Sequence, residues 1–221
     1  HVTQPLSPQL DNATVDPYTG YATISWLPSI SGDVSSYVVY TYSSGTANAV
    51  DTVRSPYITA YTHTLSTARY LSITYVVAAM DSSLNISPLS NSLSTIYLAV
   101  KNDSCKQRIE LTWTPYINPV HPADKYELWV SAGGAPAVLY ETVAVTDTSY
   151  FFDDYGPATL YCFHLTASDN AGGLSTSNMQ CVTSGSETAP SWIRTDAIAV
   201  EDGSLLVTGS YDQATDMLGY I

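Results

Sequence analysis

Apolar and polar residues alternate in many short stretches, and one of these stretches returns along the chain. The run "ATISW" ends at Trp26, "IELTW" ends at Trp113, and "LLVTG" ends at Gly209, where the tryptophan is missing. A period of two predicts a β-strand with one buried face. A second strand is predicted after each tryptophan, opening at Tyr37 in "YVVY" and at Tyr126 in "YELWV". The alternation therefore predicts a repeated β-structure.

The repeat continues through several shorter segments. "DTV" returns as "ETV", "ITYVVAAMD" as "YCFHLTASD", and "SPLSN" as "STSN". Two complete units of roughly ninety residues, each with about seven strands, predict two-sheet antiparallel sandwiches, because stacking two sheets buries both apolar faces. The predicted boundaries are 1–97 and 98–186, with 187–221 as a linker plus the first strands of an incomplete third unit. The run "NSLSTIYLAV" joins the first two units without a Gly/Ser-rich spacer, which predicts a stiff joint.

The aromatic positions of the repeat give a family resemblance. Tryptophan on the second strand, tyrosine on the third and the pattern Y-x-F-x-L-x-A on the sixth resemble the fibronectin type III domain. The resemblance implies an all-β chain of tandem immunoglobulin-like sandwiches, in which Tyr161 packs inward and caps a corner through its hydroxyl. Ile73 stands at the equivalent place in the first unit. The core positions implied are Trp26, Tyr37, Trp113, Tyr126 and Tyr161.

A narrower similarity adds a biological setting. The phrases "VDPYTGYATISW" and "AAMDSSLNIS" are similar to repeats in large secreted surface proteins of the Bacteroidetes type. That resemblance implies an extracellular or cell-surface location and further fibronectin type III-like domains in the same chain. It also makes Thr52, within Asp51-Thr52-Val53, a candidate O-glycosylation site, although such a tripeptide also arises by chance.

Charge excludes one class of partner. The 221 residues include 20 acidic and seven basic side chains, which gives a formal net charge of −13. Nucleic acid is therefore excluded as a partner, because binding it needs Lys and Arg to neutralise phosphates. No apolar run reaches the roughly 18 residues that a membrane helix needs, so a membrane-spanning chain is not expected.

Tyrosine is the one abundant residue that suggests binding. There are 18 tyrosines against three phenylalanines. Exposed tyrosines supply rigid amphipathic contact area for a glycan or a protein, but they are also ordinary strand-surface residues in a chain poor in charge. Two cores do not need all of the following tyrosines: Tyr18, Tyr40, Tyr42, Tyr57, Tyr61, Tyr116, Tyr140 and Tyr150.

Two cysteines fall close together in the predicted hairpin of the second unit. Pairing Ala167 with Ser177 places Cys162 opposite Val182, one residue from Cys181, which is within disulfide reach. We therefore expect a Cys162–Cys181 disulfide, with two reduced thiols as the alternative. The third cysteine, Cys105, has the parity of a buried residue and is expected to be a free thiol, although a Cys105–Cys181 pairing is the rival arrangement.

No catalytic or cofactor-binding motif is present. The histidines lie on different predicted elements without metal-binding spacing, and "FDDYG" is either a possible calcium contact or an ordinary loop. We therefore expect no enzyme activity and no cofactor. The favoured function is a non-catalytic extracellular spacer or adhesion module of a multidomain surface protein. The alternative is a carbohydrate-binding or enzyme-appended accessory module that uses exposed tyrosines, and the ligand, protein or glycan, stays unknown.

Overall fold

The computed structural model describes residues 3–104, 106–169, 172–185, 193–201 and 204–211, the last two segments by their backbone alone. The described residues form β-strands and no helix, and every strand pairing is antiparallel. The predicted all-β antiparallel fold is thereby confirmed. The strands are β1 (Gln9–Val15), β2 (Ala22–Leu27), β3 (Val34–Ser43), β4 (Thr46–Val53), β5 (Ala60–His63), β6 (Thr74–Asp81), β7 (Leu93–Ser94), β8 (Leu98–Asp103), β9 (Arg108–Trp113), β10 (Lys125–Ala132), β11 (Val138–Ala144), β12 (Ser149–Phe152), β13 (Leu160–Asp169), β14 (Gly172–Thr176), β15 (Gln180–Thr183), β16 (Ile193–Glu201) and β17 (Ser204–Tyr211).

Strands β1–β7 form unit one, a sandwich of two sheets. One sheet has the order β1-β2-β5 and the other β4-β3-β6-β7. Alternate residues of both sheets point inward and share one hydrophobic core, as the period of two requires. Trp26 and Tyr37 are 2% and 1% exposed, and their ring centroids lie 5.3 Å apart. The backbone N–H of Ser29 donates to the Tyr37 hydroxyl at 3.2 Å, so the polar end of this core ring is also bonded.

Strands β8–β15 form unit two, which repeats this arrangement. Its sheets have the orders β12-β9-β8 and β11-β10-β13, with both β14 and β15 paired to β13. The ring centroids of Trp113 and Tyr126 lie 5.6 Å apart, in a hydrophobic core separate from that of unit one. The N–H of Tyr116 donates to the Tyr126 hydroxyl at 2.6 Å, as in unit one.

The pairing of β13 differs from the predicted register. Ala167 lies opposite Ser175 instead of Ser177, and Cys162 lies opposite Cys181 instead of Val182. The predicted register was wrong because the partner of β13 is not one continuous strand: it is interrupted between β14 and β15, and the register shifts between Ala167 and Ser168. A disulfide joins Cys162 and Cys181 across this pair. Cys105, the expected free thiol, lies outside the described residues.

The last two strands form a separate antiparallel hairpin. β16 and β17 pair along their length, with one register shift between Thr195 and Ala197. They fall in the stretch 187–221 predicted to hold a linker and the first strands of a third unit, and the first part of that stretch, 187–192, lies outside the described residues.

Candidate functional site at the contact between the two units

Two open sheet edges meet where unit one contacts unit two. β1 is an edge strand of unit one, and β14 is an edge strand of unit two. An exposed edge presents unpaired backbone groups, which proteins cover or pair. Three hydrogen bonds join these edges: Asn12 Nδ2 to Leu174 O at 2.7 Å, Ser175 Oγ to Ala13 O at 2.7 Å, and Thr176 N to Thr14 Oγ1 at 2.9 Å. Short polar side chains therefore provide the contacts that a continuous sheet would make with its backbone.

The loop between β9 and β10 adds a second contact with β1. Asn118 is 4% exposed, and its Nδ2 donates to Asp11 O at 2.7 Å and to the Tyr116 hydroxyl at 2.8 Å. Its Oδ1 accepts the N–H groups of Val120 and His121, an Asx-type turn that fixes the loop. One asparagine thus both shapes the loop and attaches it to unit one.

A contact between a histidine and an aspartate, ionic only when the imidazole is protonated, flanks this asparagine. His121 Nε2 lies 2.7 Å from Asp11 Oδ1, and the two side chains are 49% and 26% exposed. Pairs this accessible to water contribute at most about 1 kcal/mol, so the buried hydrogen bonds matter more for the joint.

Arg69 forms the third contact, from the segment between β5 and β6. Its carbonyl oxygen accepts Asn178 Nδ2 at 3.1 Å and Gln180 Nε2 at 3.3 Å, both from unit two. Its guanidinium donates to Tyr18 O at 2.7 Å within unit one. Gly20 has φ +75°, and a Cβ there would lie 2.8 Å from Arg69 Nε, so glycine leaves room for this side chain. Arg69 is therefore held in place by unit one and bonded by unit two.

A repeated asparagine links the two sheets inside each unit. Asn91 accepts from Leu10 N at 2.7 Å and donates to Leu10 O at 3.0 Å. Asn178 makes the same pair of bonds with Leu98, at 2.7 Å and 3.0 Å. Sequence reasoning did not assign this role, although the repeated "SPLSN" and "STSN" carried the signal. Since Asn178 also reaches Arg69, the sheet-linking device of unit two is itself part of the joint.

A small cleft of about 220 Å³ lies beside the joint, between the Asp11–Asn12 segment and Tyr116. Burial raises the pKa of Tyr116, and the Asp11 carboxylate raises it further, so the phenol stays neutral. Tyr116 is 6% exposed and belongs to the core of unit two. The neutral side chains at the joint, among them Asn118 and Ser175, can hold the two sandwiches together through hydrogen bonds.

The other predicted residues lie apart from the joint and from one another. The Tyr161 hydroxyl accepts the N–H of Gly156 at 2.8 Å, five residues upstream. Thr52 is half-buried on β4, and its N–H donates to Asp51 Oδ1 at 2.7 Å. The disulfide crosses β13 and β15. The structure does not bring these residues together at one site.

Two of the histidines contact aromatic rings and are partly buried. His63 Nδ1 lies 2.9 Å from the Tyr75 hydroxyl, and the ring of His164 stacks on Trp129 with centroids 5.9 Å apart. Burial lowers the pKa of both imidazoles, which favours their neutral forms. Within the described ranges, no group of three or more His, Cys, Asp or Glu side chains is placed to hold a metal ion. Among the same residues, no helix has the length and apolarity that a membrane crossing requires.

Comparisons with known proteins give similarity to solved structures only. No protein-family model and no curated protein matches the chain. The FN1–FN3 domains of chicken CNTN1 are 20% identical, with a TM-score of 0.36, over 83% of this chain and 67% of that one. A Fn3-like protein from Clostridium thermocellum is 24% identical, with a TM-score of 0.34, over 41% of this chain and 90% of that one. A two-domain fibronectin type III segment of chicken tenascin is 14% identical, with a TM-score of 0.30, over 82% and 98%. The strand order described above, and not these similarities, defines the fold.

Proposed function

We propose that the chain is a non-catalytic extracellular spacer or adhesion module of a multidomain surface protein, of the kind found in the Bacteroidetes. The two units, with predicted boundaries 1–97 and 98–186, act as one stiff element. The observation that carries this proposal is the buried contact between β1 and β14, where Ser175 is 1% exposed and bonded to Ala13 O. A flexible tether would leave these edges open to water, whereas a spacer benefits from a fixed angle between modules.

The internal repeat supports a longer array of modules. In unit two, the loop after Trp113 and the last three residues of β14 contact the unit before it. The same surface on unit one is uncovered: Ile30, in the equivalent loop, is 87% exposed, and Leu84, in the loop after β6, is 72% exposed. We propose that a further fibronectin type III-like domain of the same chain packs there.

A disulfide and the charge balance support the proposed location outside the cell. The Cys162–Cys181 bridge suits an oxidising compartment, because thiols in the cytosol are kept reduced. The net charge of −13 disfavours both nucleic acid and anionic membrane surfaces as partners. Labelling of intact native cells with a membrane-impermeant reagent tests this part: a chain that is modified only after lysis is not at the surface.

The stiffness of the joint is tested by the rotational tumbling of the two units. In the unaltered chain, ¹⁵N relaxation should give both units one common correlation time, because the edge contact makes them move together. The double variant Asn12→Ala/Ser175→Ala should let them tumble separately. Ser87→Ala, which changes the counterpart of Ser175 in unit one, serves as the control and should leave the common tumbling intact. Separate tumbling of the two units in the unaltered chain would refute the rigid-spacer proposal.

A further inference from the structure

Unit one contains a cleft of about 340 Å³ that is not used by the joint. It opens between the end of β3, the end of β5 and the start of β6. Its walls include Tyr42, His63, Leu71 and Ile73. This volume lies near the small end of the range of about 300–1,000 Å³ that is typical of ligand sites.

The repeat shows why the cleft exists in unit one. Its counterpart in unit two is filled by an aromatic cluster, in which Phe152 lies 5.0 Å from Tyr161 and 4.9 Å from Tyr140 by ring centroids. The repeat alignment places His63 at the position of Phe152 and Ile73 at that of Tyr161. Unit one therefore has an imidazole and an aliphatic side chain where unit two has two large rings, and the smaller side chains leave the space open.

The lining of the cleft selects a neutral polar ligand. None of its ten residues carries Asp, Glu, Lys or Arg, and five carry a Ser or Thr hydroxyl. Among the described residues, the hydroxyls of Thr41, Ser43 and Thr67 make no hydrogen bond to the protein, so they are available to a ligand. The nearby imidazole of His63 is held by the Tyr75 hydroxyl at 2.9 Å, and burial lowers its pKa, so it adds a neutral polar group and no charge.

Two other ligand classes fit this lining less well. A charged ligand would lose hydration without meeting an opposite charge in the walls, and a wholly apolar one would leave the wall hydroxyls without partners. A sugar ring presents hydroxyls at its rim and C–H groups on its faces. The hydroxyls match Thr41 and Ser43, and the faces match the apolar side chains of Leu65 and Leu71.

We propose that this cleft binds a neutral saccharide of one or two rings. The proposal does not rest on the spacer role: Arg69 lies in the same segment of sequence as part of the lining, but the hydrogen bonds between the two units use Arg69 and none of the lining residues. It also differs from binding through the most exposed tyrosines, since Tyr57, at 91% exposed, is not part of the lining.

The test is an NMR titration of the whole folded chain with glucose, galactose, mannose, N-acetylglucosamine, cellobiose, maltose and lactose. At least one of these sugars should produce saturable shifts in the amides of residues 41–43 and 63–74. Ile73→Tyr places the unit-two residue in the cleft and should weaken binding by about tenfold or more. Because Ile73 is 9% exposed and its replacement could unfold the unit, Leu71→Ala, on a side chain of the cleft that is 49% exposed, gives a second measure and should also weaken binding.

Tyr57→Ala is the matched control, because it removes a tyrosine ring outside the cleft and should leave the affinity unchanged. Three results would overturn the proposal: no saturable shift with any sugar, shifts that map to Tyr57, or affinity that survives both Leu71→Ala and Ile73→Tyr in folded protein. Each of these results leaves the common tumbling of the two units as a separate measurement.

Discussion

Replacing Ser175 with alanine removes the most deeply buried hydrogen bond between the two units. Ser175 is 1% exposed, and its hydroxyl donates to the carbonyl oxygen of Ala13 at 2.7 Å. Ala13 is fully buried. A typical net hydrogen bond contributes about 0.5–1.5 kcal/mol, and a buried acceptor left without its donor costs about 1–3 kcal/mol. We therefore expect Ser175→Ala to lower the free energy of unfolding by about 1–3 kcal/mol.

The assay must show that the effect crosses from one unit to the other. Urea unfolding gives the free-energy change, and hydrogen–deuterium exchange resolved by peptide shows where the chain has loosened. Since the lost bond ends on β1, we expect faster exchange in Gln9–Val15 as well as around the substituted residue, although the change is made in unit two.

The counterpart of Ser175 in unit one provides the control. Ser87 is also buried, but its hydroxyl donates to Pro88 O at 2.7 Å and accepts from Ala79 N at 2.9 Å, all within unit one. Ser87→Ala should therefore destabilise unit one and leave exchange in unit two unchanged. If exchange in β1 is the same in Ser175→Ala and in the unaltered chain, the contact contributes nothing to the joint and the reasoning fails.

Three further outcomes follow from unit two. Loss of the disulfide in Cys162→Ser should cost about 3 kcal/mol in the chain-entropy account for a sequence separation of 19, seen as a lower melting temperature; an unchanged value would contradict it. Tyr161→Phe removes the acceptor of the Gly156 N–H and should lower the unfolding free energy by about 1 kcal/mol in urea, whereas wild-type stability would show that the corner does not depend on the hydroxyl. Burial holds the pKa of His164 below 6.5, so the unfolded chain takes up this proton at a higher pH than the folded chain does. The unfolding free energy should therefore fall as pH drops below about 6.5 and level off below the pKa of the folded state. His164→Gln should reduce this dependence on pH.

The register of the β13 hairpin shows where sequence reasoning lost precision. Alternation assigned Tyr161 and Phe163 to the inward face, and both are buried. It could not locate the interruption after β14, where Ser177 substitutes for the ladder by accepting Leu165 N through its hydroxyl and donating its own N–H to Leu165 O, both at 2.9 Å. A single continuous strand was assumed, and the predicted pairs were therefore displaced by one or two residues.

The cleft of unit one shows a similar limit. The repeat aligned His63 with Phe152 and Ile73 with Tyr161. Alignment alone does not show that His63 and Ile73 leave a space that Phe152 and Tyr161 fill. That difference depends on side-chain volume and on ring packing between strands that are distant in sequence.

The sequence by itself determined the strands, the two-layer packing and the internal repeat, because these follow from a period of two and from the need to bury one face of every sheet. The tertiary structure alone decided which edges meet. The joint depends on Asn12, Asn118 and Ser175, which are short polar residues of a kind common throughout the chain. Their partners are backbone carbonyl groups more than one hundred residues away, and a carbonyl group is the same at every position, so no side-chain pattern identifies it before the chain has folded.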